Sequence, residues 1–265
     1  MTYLEKLQSV VKKNNSNVVI GLDSDISKIP ECFHKYSDPV YEFNHYIMCS
    51  TKDIVAGYKM NMAFYESAAG YKTLERTLKY IPEDLIKICD AKRGDIGNTD
   101  EMYAKTFFDD MNFDAITFQP YMGYDSIEPF INRKDKLTYV LALTSNEGSK
   151  DFQKLKVGKK FLYEKVIKKC VEWNKNGNIG FVIGSNHTKE IGKYSKKLPD
   201  YPLLIPGVGS QHGEAGTLLK NLHNKNFVIN SSRGIIYAAP MDVERKDFEK
   251  IVREKTVELN ASINN

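Results

Sequence analysis

The chain is poor in the features that mark the simplest functional classes. Its four cysteines, Cys32, Cys49, Cys89 and Cys170, stand far apart with no C-x-x-C. That argues against a disulfide framework and suits reduced, mostly buried thiols in a cytosol. The five histidines form no H-x-x-x-H pair, so a metal site is not expected. No apolar run approaches the roughly 18 residues of a membrane span, and Met1-Thr2-Tyr3-Leu4-Glu5-Lys6 opens without an apolar leader core. The expectation is a cytoplasmic protein with no membrane partner. An excess of one charge is missing too: 38 Lys and Arg against 34 Asp and Glu leave +4. The lysine pairs Lys12-Lys13, Lys159-Lys160, Lys168-Lys169 and Lys196-Lys197 are scattered. They read as solvated helix faces, not as a nucleic-acid footprint.

What the chain does have is alternation. With 265 residues, 42% of them hydrophobic and 27% charged, it can bury a sizeable core, and α/β barrels run to about 250 residues as one domain. Leu4, Leu7 and Val11 mark an N-terminal helix, and Asn17 to Leu22 reads as a buried strand. A helical stretch around Phe43, Ile47 and Met48 leads to a second strand, Ile54 to Met60, and the third is Leu85 to Lys92. Five more apolar runs follow: Ala115 to Phe118, Thr138 to Leu143, Ile179 to Ile183, Leu203 to Ile205 and Phe227 to Asn230. The segments between are mostly long enough for one helix each, as at Phe161 to Trp173 and Ala215 to His223. In the last, Val243 to Leu259, the residues Phe248, Ile251, Val252 and Leu259 share one helical face. Eight β-α units without an obvious linker predict an α/β fold, a (β/α)8 TIM barrel with outer helices that takes up residues 1–265 as one domain. The pattern alone also admits an open sheet with fewer strands.

The polar residues gather at one place in that scheme. Asp23 follows the first strand, Lys59 and Asn61 end the second, Asp90 and Lys92 end the third, and Thr144-Ser145 end the fifth. Pro206-Gly207-Val208-Gly209-Ser210-Gln211 follows the seventh, and Ser231-Ser232-Arg233-Gly234 the eighth. In a barrel this C-terminal rim holds the active site, and the last two loops commonly bind phosphate. Strand alternation puts Asp90 and Lys92 on one side of the chain. An isolated D-x-K reads as a surface ion pair; charge segregated to one rim reads as a site. Gly207, Gly209 and Gly213 do not follow the dinucleotide-binding spacing, but with Arg233 they suit an anion cradle.

Taken in order, D-A-K-R-G-D-I-G-N-T at Asp90 to Thr99, G-Y-K-M-N at Gly57 to Asn61, P-G-V-G-S-Q at Pro206 to Gln211 and N-S-S-R-G at Asn230 to Gly234 resemble the orotidine 5′-monophosphate decarboxylase family. The match is to the branch whose strand-three motif reads D-A-K-R-G-D, and it spans essentially the whole chain. The resemblance implies a cofactor-free conversion of orotidine 5′-monophosphate to UMP and carbon dioxide, the last step of de novo pyrimidine synthesis, in a homodimer of barrels with shared sites. Lys59, Asp90, Lys92 and Asp95 match the family's charged tetrad, with Asp95, Ile96 and Thr99 reaching the neighbouring subunit's site. Asp23 and Asn61 would serve the sugar and the site network, Ser145 would meet the pyrimidine, and Thr144 would be a further substrate-binding residue. Gln211 would form the lid between base and phosphate, Pro206 would be a further substrate-binding residue, and Arg233 and the Ser232 backbone would grip the phosphate. Many relatives carry glycine where this chain has Ser232. Association with a separate orotate phosphoribosyltransferase is left open.

A rival of different chemistry shares the D-x-K-x-x-D core: a metal-dependent sugar-phosphate decarboxylase or aldolase of the same superfamily. It would want an acidic residue for Mg²⁺ after the second strand, where this chain has Lys59.

Overall fold

Short runs of β-branched and aromatic residues, fully buried on both faces, favour parallel strands covered by helices. The computed structural model, which describes residues 1–208 and 218–264, is built that way. Eight strands form a closed barrel in chain order: β1 (Val18–Gly21), β2 (Gly57–Asn61), β3 (Ile86–Arg93), β4 (Ala115–Phe118), β5 (Leu137–Leu143), β6 (Ile179–Ile183), β7 (Leu203–Pro206) and β8 (Phe227–Ser231). Every neighbouring pair is parallel, and β8 returns to β1 through Ile229 opposite Val18. The expected strand positions hold within one to three residues. The largest difference is at β2, which begins at Gly57 rather than Ile54. Gly57 has a steric reason to open the strand: a Cβ there would lie 2.0 Å from the Ile86 carbonyl oxygen, so only glycine allows β2 and β3 to approach.

The outer layer consists of α1 (Tyr3–Asn14), α2 (Pro39–Thr51), α3 (Ala68–Tyr80), α4 (Gly97–Ala104), α5 (Tyr124–Ile131), α6 (Leu162–Trp173), α7 (Thr188–Lys197), the short α8 (Arg233–Ile236) and α9 (Arg245–Asn264). Local chemistry sets their ends. Thr2 caps α1 reciprocally with Glu5, and Ser67 caps α3 through the Gly70 N–H, each cap contributing about 1 kcal/mol. The apolar face anticipated for the last helix is buried through Phe248, Val252 and Leu259. Phe248 meets Phe33 and Phe43 with ring centroids 5.0 and 5.3 Å apart. This aromatic cluster ties α9 to α2, each buried ring contributing about 1.5–3 kcal/mol.

The two ends of the barrel differ. At the N-terminal end, Lys6 of α1 pairs with Asp114 at 2.8 Å, and Asp114 also accepts from the Lys87 N–H. This end ties α1 to the strand bottoms and reads as stability. At the C-terminal end β3 continues into the turn 94–96, α4 and then a π-helical stretch, Lys105–Asp110. The segment after β5 carries a short 3-10 turn, Glu147–Lys150, and a two-stranded ribbon pairing Lys156–Val157 with Lys160–Phe161.

Candidate active site

The ends of β1, β2 and β3 bring four charges into contact. Lys59 is 4% exposed; its Nζ donates to Asp90 Oδ2 at 2.8 Å and lies 3.5 Å from Asp23 Oδ1. Lys92 Nζ donates to the other oxygen, Asp90 Oδ1, at 2.6 Å. The result is an alternating row, Asp23, Lys59, Asp90, Lys92. Burial by itself would raise the Asp90 carboxyl, but the Lys59 and Lys92 ammonium groups outweigh it and hold the carboxyl well below the usual carboxylate range. Burial likewise opposes the Lys59 charge, and Asp90 and then Asp23 overcome it, raising Lys59 above its ordinary value.

Regular alternation does not carry β3 this far. Cys89 pairs with Ile116, but the next pair is Arg93 with Phe118, so three residues of β3 face the single Thr117 of β4. Lys92 sits in this bulge at φ +50°, in the left-handed region, which costs about 1–2 kcal/mol for a residue with a Cβ. Thr117 is buried; its hydroxyl donates to Asp90 Oδ1 at 2.8 Å and accepts from the Lys92 N–H at 3.0 Å. Sequence reasoning passed over Thr117; its one signal was a hydroxyl inside the apolar run Ala115-Ile116-Thr117-Phe118. Arg93 turns away from the site. It pairs with Glu66 and lies over the Tyr103 ring at 4.8 Å.

Two tyrosines hold the loop that carries Asp23, and neither was anticipated. Tyr65 donates to the Leu22 carbonyl at 2.6 Å. Tyr237 donates to the Asp23 carbonyl at 2.8 Å and accepts from the Asp25 N–H at 2.6 Å. Asn61 acts locally, its side chain capping the 3-10 turn Met62–Phe64 through the Ala63 N–H.

Asp95, Ile96 and Thr99 occupy the turn after β3 and the start of α4. Asp95 is fixed by its backbone, whose N–H donates to the buried Asp100 Oδ2 at 2.7 Å; Ser126 donates to the same oxygen. Burial raises the Asp100 carboxyl. Among the described residues no ion pair joins Asp95 to Lys92. Ile96 is 54% exposed, with Met102, Tyr121 and Phe152 also exposed in the segments after β3, β4 and β5.

At the end of β5, Thr144 is held by Gln153, which accepts from its N–H and donates to its hydroxyl, both at 2.8 Å, while Ser145 is exposed at the rim. Across the barrel a cavity of about 580 Å³ is lined by Asp23, Gly207, Val208 and residues 230–234. Gly207 adopts φ +92° there, and Pro206 ends β7 beside it. The Ser232 hydroxyl donates to the Gly21 carbonyl at 2.9 Å, and a Cβ on residue 21 would lie 2.9 Å from Ser232 Cβ. Gly21 therefore makes room for Ser232. Arg233 is exposed and forms no side-chain hydrogen bond or ion pair among the described residues. Gly209, Gln211 and Gly213 lie outside the described residues.

Residues 16–248 match the model of the Orotidine 5'-phosphate decarboxylase / HUMPS family. The chain belongs to this family. A Christiangramia forsetii protein named orotidine 5'-phosphate decarboxylase is 46% identical, with 90% of each chain covered. A Flavobacterium johnsoniae protein of the same name is 41% identical, covering 96% of this chain and 94% of its own. Among solved structures, Leishmania donovani OMP decarboxylase is similar with a TM-score of 0.80 at 32% identity, over 97% of this chain and 99% of that one. In this member of the family the D-A-K-R-G-D-I-G-N-T segment is the end of β3, its bulge and the opening of α4.

Proposed function

We propose that this chain decarboxylates orotidine 5′-monophosphate to UMP and carbon dioxide without a cofactor, as a cytoplasmic enzyme of pyrimidine synthesis built on one barrel domain. The observation that carries the reading is the row Asp23, Lys59, Asp90, Lys92 facing the same rim as the cavity beside Arg233. Breaking the bond from C6 to the carboxylate leaves the electron pair on C6 with no conjugated sink. Such reactions call for accelerations near 10¹⁷-fold, about 23 kcal/mol. The means available here are electrostatic. Lys92 supplies positive charge to the developing carbanion and then gives C6 a proton, taking one back from solvent afterwards. Asp90 would face the departing carboxylate. Two like charges about 4 Å apart at an effective dielectric of about 20 repel by about 4 kcal/mol, a partial share of the barrier. Binding energy at the distant phosphate, through Arg233 and the backbone at Ser232, supplies much of the rest by fixing the substrate against the row.

The proposal includes a homodimer with shared sites. Asp95 is held by its backbone yet unpaired with Lys92 among the described residues, and the apolar side chains Ile96, Met102, Tyr121 and Phe152 in the segments after β3, β4 and β5 are exposed. Both features support a two-fold partner that receives Asp95, Ile96 and Thr99. Ser145 would meet the pyrimidine, Thr144 would orient it, and Asn61 and Asp23 would lie toward the sugar. Pro206 and Gln211 are assigned to the lid region between base and phosphate. A separate orotate phosphoribosyltransferase is the partner to seek by co-purification. The metal-dependent alternative gains nothing: where it requires an acid, the Lys59 ammonium is bonded to Asp90.

The test is direct. Purified protein with orotidine 5′-monophosphate should lose the orotate absorbance, releasing UMP and carbon dioxide in equal amounts at a rate unchanged by a chelator. No loss of the chromophore, or a loss that stops on chelation, sinks the reading.

A further inference from the structure

Lys92 must present its ammonium from a bulge, where the strand ladder no longer dictates its place. Three residues of β3 face one residue of β4 at this point, and Lys92 has left-handed backbone. The one residue opposite is Thr117, 2% exposed, with partners on both of its sides. A hydroxyl has a single hydrogen. Because Thr117 Oγ1 accepts from the Lys92 N–H at 3.0 Å, its hydrogen is available to the Asp90 carboxylate, which accepts it at 2.8 Å. The direction of this short chain, Lys92 backbone to Thr117 to Asp90, is thereby set. One side chain on the neighbouring strand thus fixes the backbone under the ammonium and the carboxylate that the ammonium pairs with.

We propose that Thr117 is a positioning residue for the decarboxylation, setting the register between Lys92 and Asp90 by its hydroxyl. This rests on the decarboxylase reading above. Asp90 Oδ1 takes two donors, Lys92 Nζ and Thr117, while Oδ2 takes Lys59, so both oxygens are held and the carboxylate plane cannot rotate freely. Removing the hydroxyl takes one of the two donors from Oδ1, leaving it only the mobile Lys92 ammonium, and leaves the Lys92 N–H without its acceptor. The ammonium then spends less time where the carbanion forms. Phosphate and ribose are gripped on other strand ends, so substrate affinity should be little affected.

The experiment compares Thr117→Val, which keeps the shape and removes the hydroxyl, with Thr117→Ser, which keeps the hydroxyl. For Thr117→Val, kcat should fall about 10- to 100-fold, with KM and UMP affinity within about threefold of wild type. Thr117→Ser should restore kcat to within about threefold of wild type. Hydrogen exchange at the Lys92 amide should quicken in the valine variant and stay slow in the serine variant. Unchanged kcat in Thr117→Val, or an equal loss in the serine variant, overturns the proposal. Should the valine variant not fold, Thr117→Ala against Thr117→Ser carries the same comparison. Wild-type turnover, measured first, decides the decarboxylase reading. If it is absent, exchange at Lys92 still decides whether Thr117 holds the bulge.

Discussion

The two halves of the rim are built on opposite plans. On the side of β1 to β3, each charge of the row has an opposite charge within 3.5 Å in the same chain, and Asp90 receives three donors. On the side of β7 and β8, the cavity is lined by Gly207, Gly234 and small polar residues, and Arg233 is exposed and unpaired among the described residues. The first half is ordered during folding, so buried charges arrive paired and the desolvation they suffer is offset before substrate binds. The second half leaves its cation without a partner among the described residues, as the proposed phosphate grip requires. On the proposed function, chemistry belongs where the geometry is already fixed, and affinity where the charge is unpaired among the described residues.

The sharpest way to break this contrast is Lys92→Ala. Turnover should fall by about 10⁴-fold while the fold and UMP affinity persist, measured on the purified folded variant. Near-wild-type turnover would remove Lys92 from its role as proton donor. Next in size is a test of whether the row is finished by a second copy. Lys92→Ala and Asp95→Asn should each be nearly inactive as pure dimers. Mixed in equal amounts after dissociation, half the dimers become hybrids, each with one native site, and roughly a quarter of wild-type activity should return. Activity that stays at the parental level after verified reassembly would assign Asp95 to its own subunit.

On the other half, Arg233→Ala should raise KM for the nucleotide about 10- to 100-fold and leave the slow turnover of a substrate lacking phosphate nearly unchanged. Equal damage to both substrates would make Arg233 structural. The smallest effect expected is no effect. The ammonium groups hold Asp90 ionised below the usual carboxylate range, and Asp90 and Asp23 raise Lys59 above its ordinary value. Between about pH 5 and 9 neither group should change charge, so the stability contributed by their pairing is constant there. It declines only in strong acid, as Asp90 protonates, or in strong base, as Lys59 loses its proton. A break in kcat/KM inside that window that disappears in Lys59→Met would contradict the paired row.

How much of this was legible in the sequence depends on the range of the interaction. The strands announced themselves as apolar runs, because a strand buried on both faces has no alternative composition. The placement of Asp23, Lys59, Asp90, Lys92 and Arg233 at strand ends followed from that count. Legibility fails where a residue acts through a neighbour distant in the chain. Asn61 reads as a site residue, and only the structure shows that its side chain also caps a turn. Tyr65 and Tyr237 give no signal in the sequence and hold the Asp23 loop. Arg93 sits between two site residues in D-A-K-R-G-D and yet faces Glu66 and Tyr103.

By itself, then, the order of residues determined the run of β-α units and the strand ends at which charge collects, since periodicity and strand ends are local properties, while an open sheet stayed admissible on pattern alone. Only the closed barrel decided which charges touch. Pairing sets β4 beside β3 with one threonine opposite three residues, and that mismatch, invisible in either strand alone, accompanies the left-handed backbone of Lys92 and gives Asp90 its third donor.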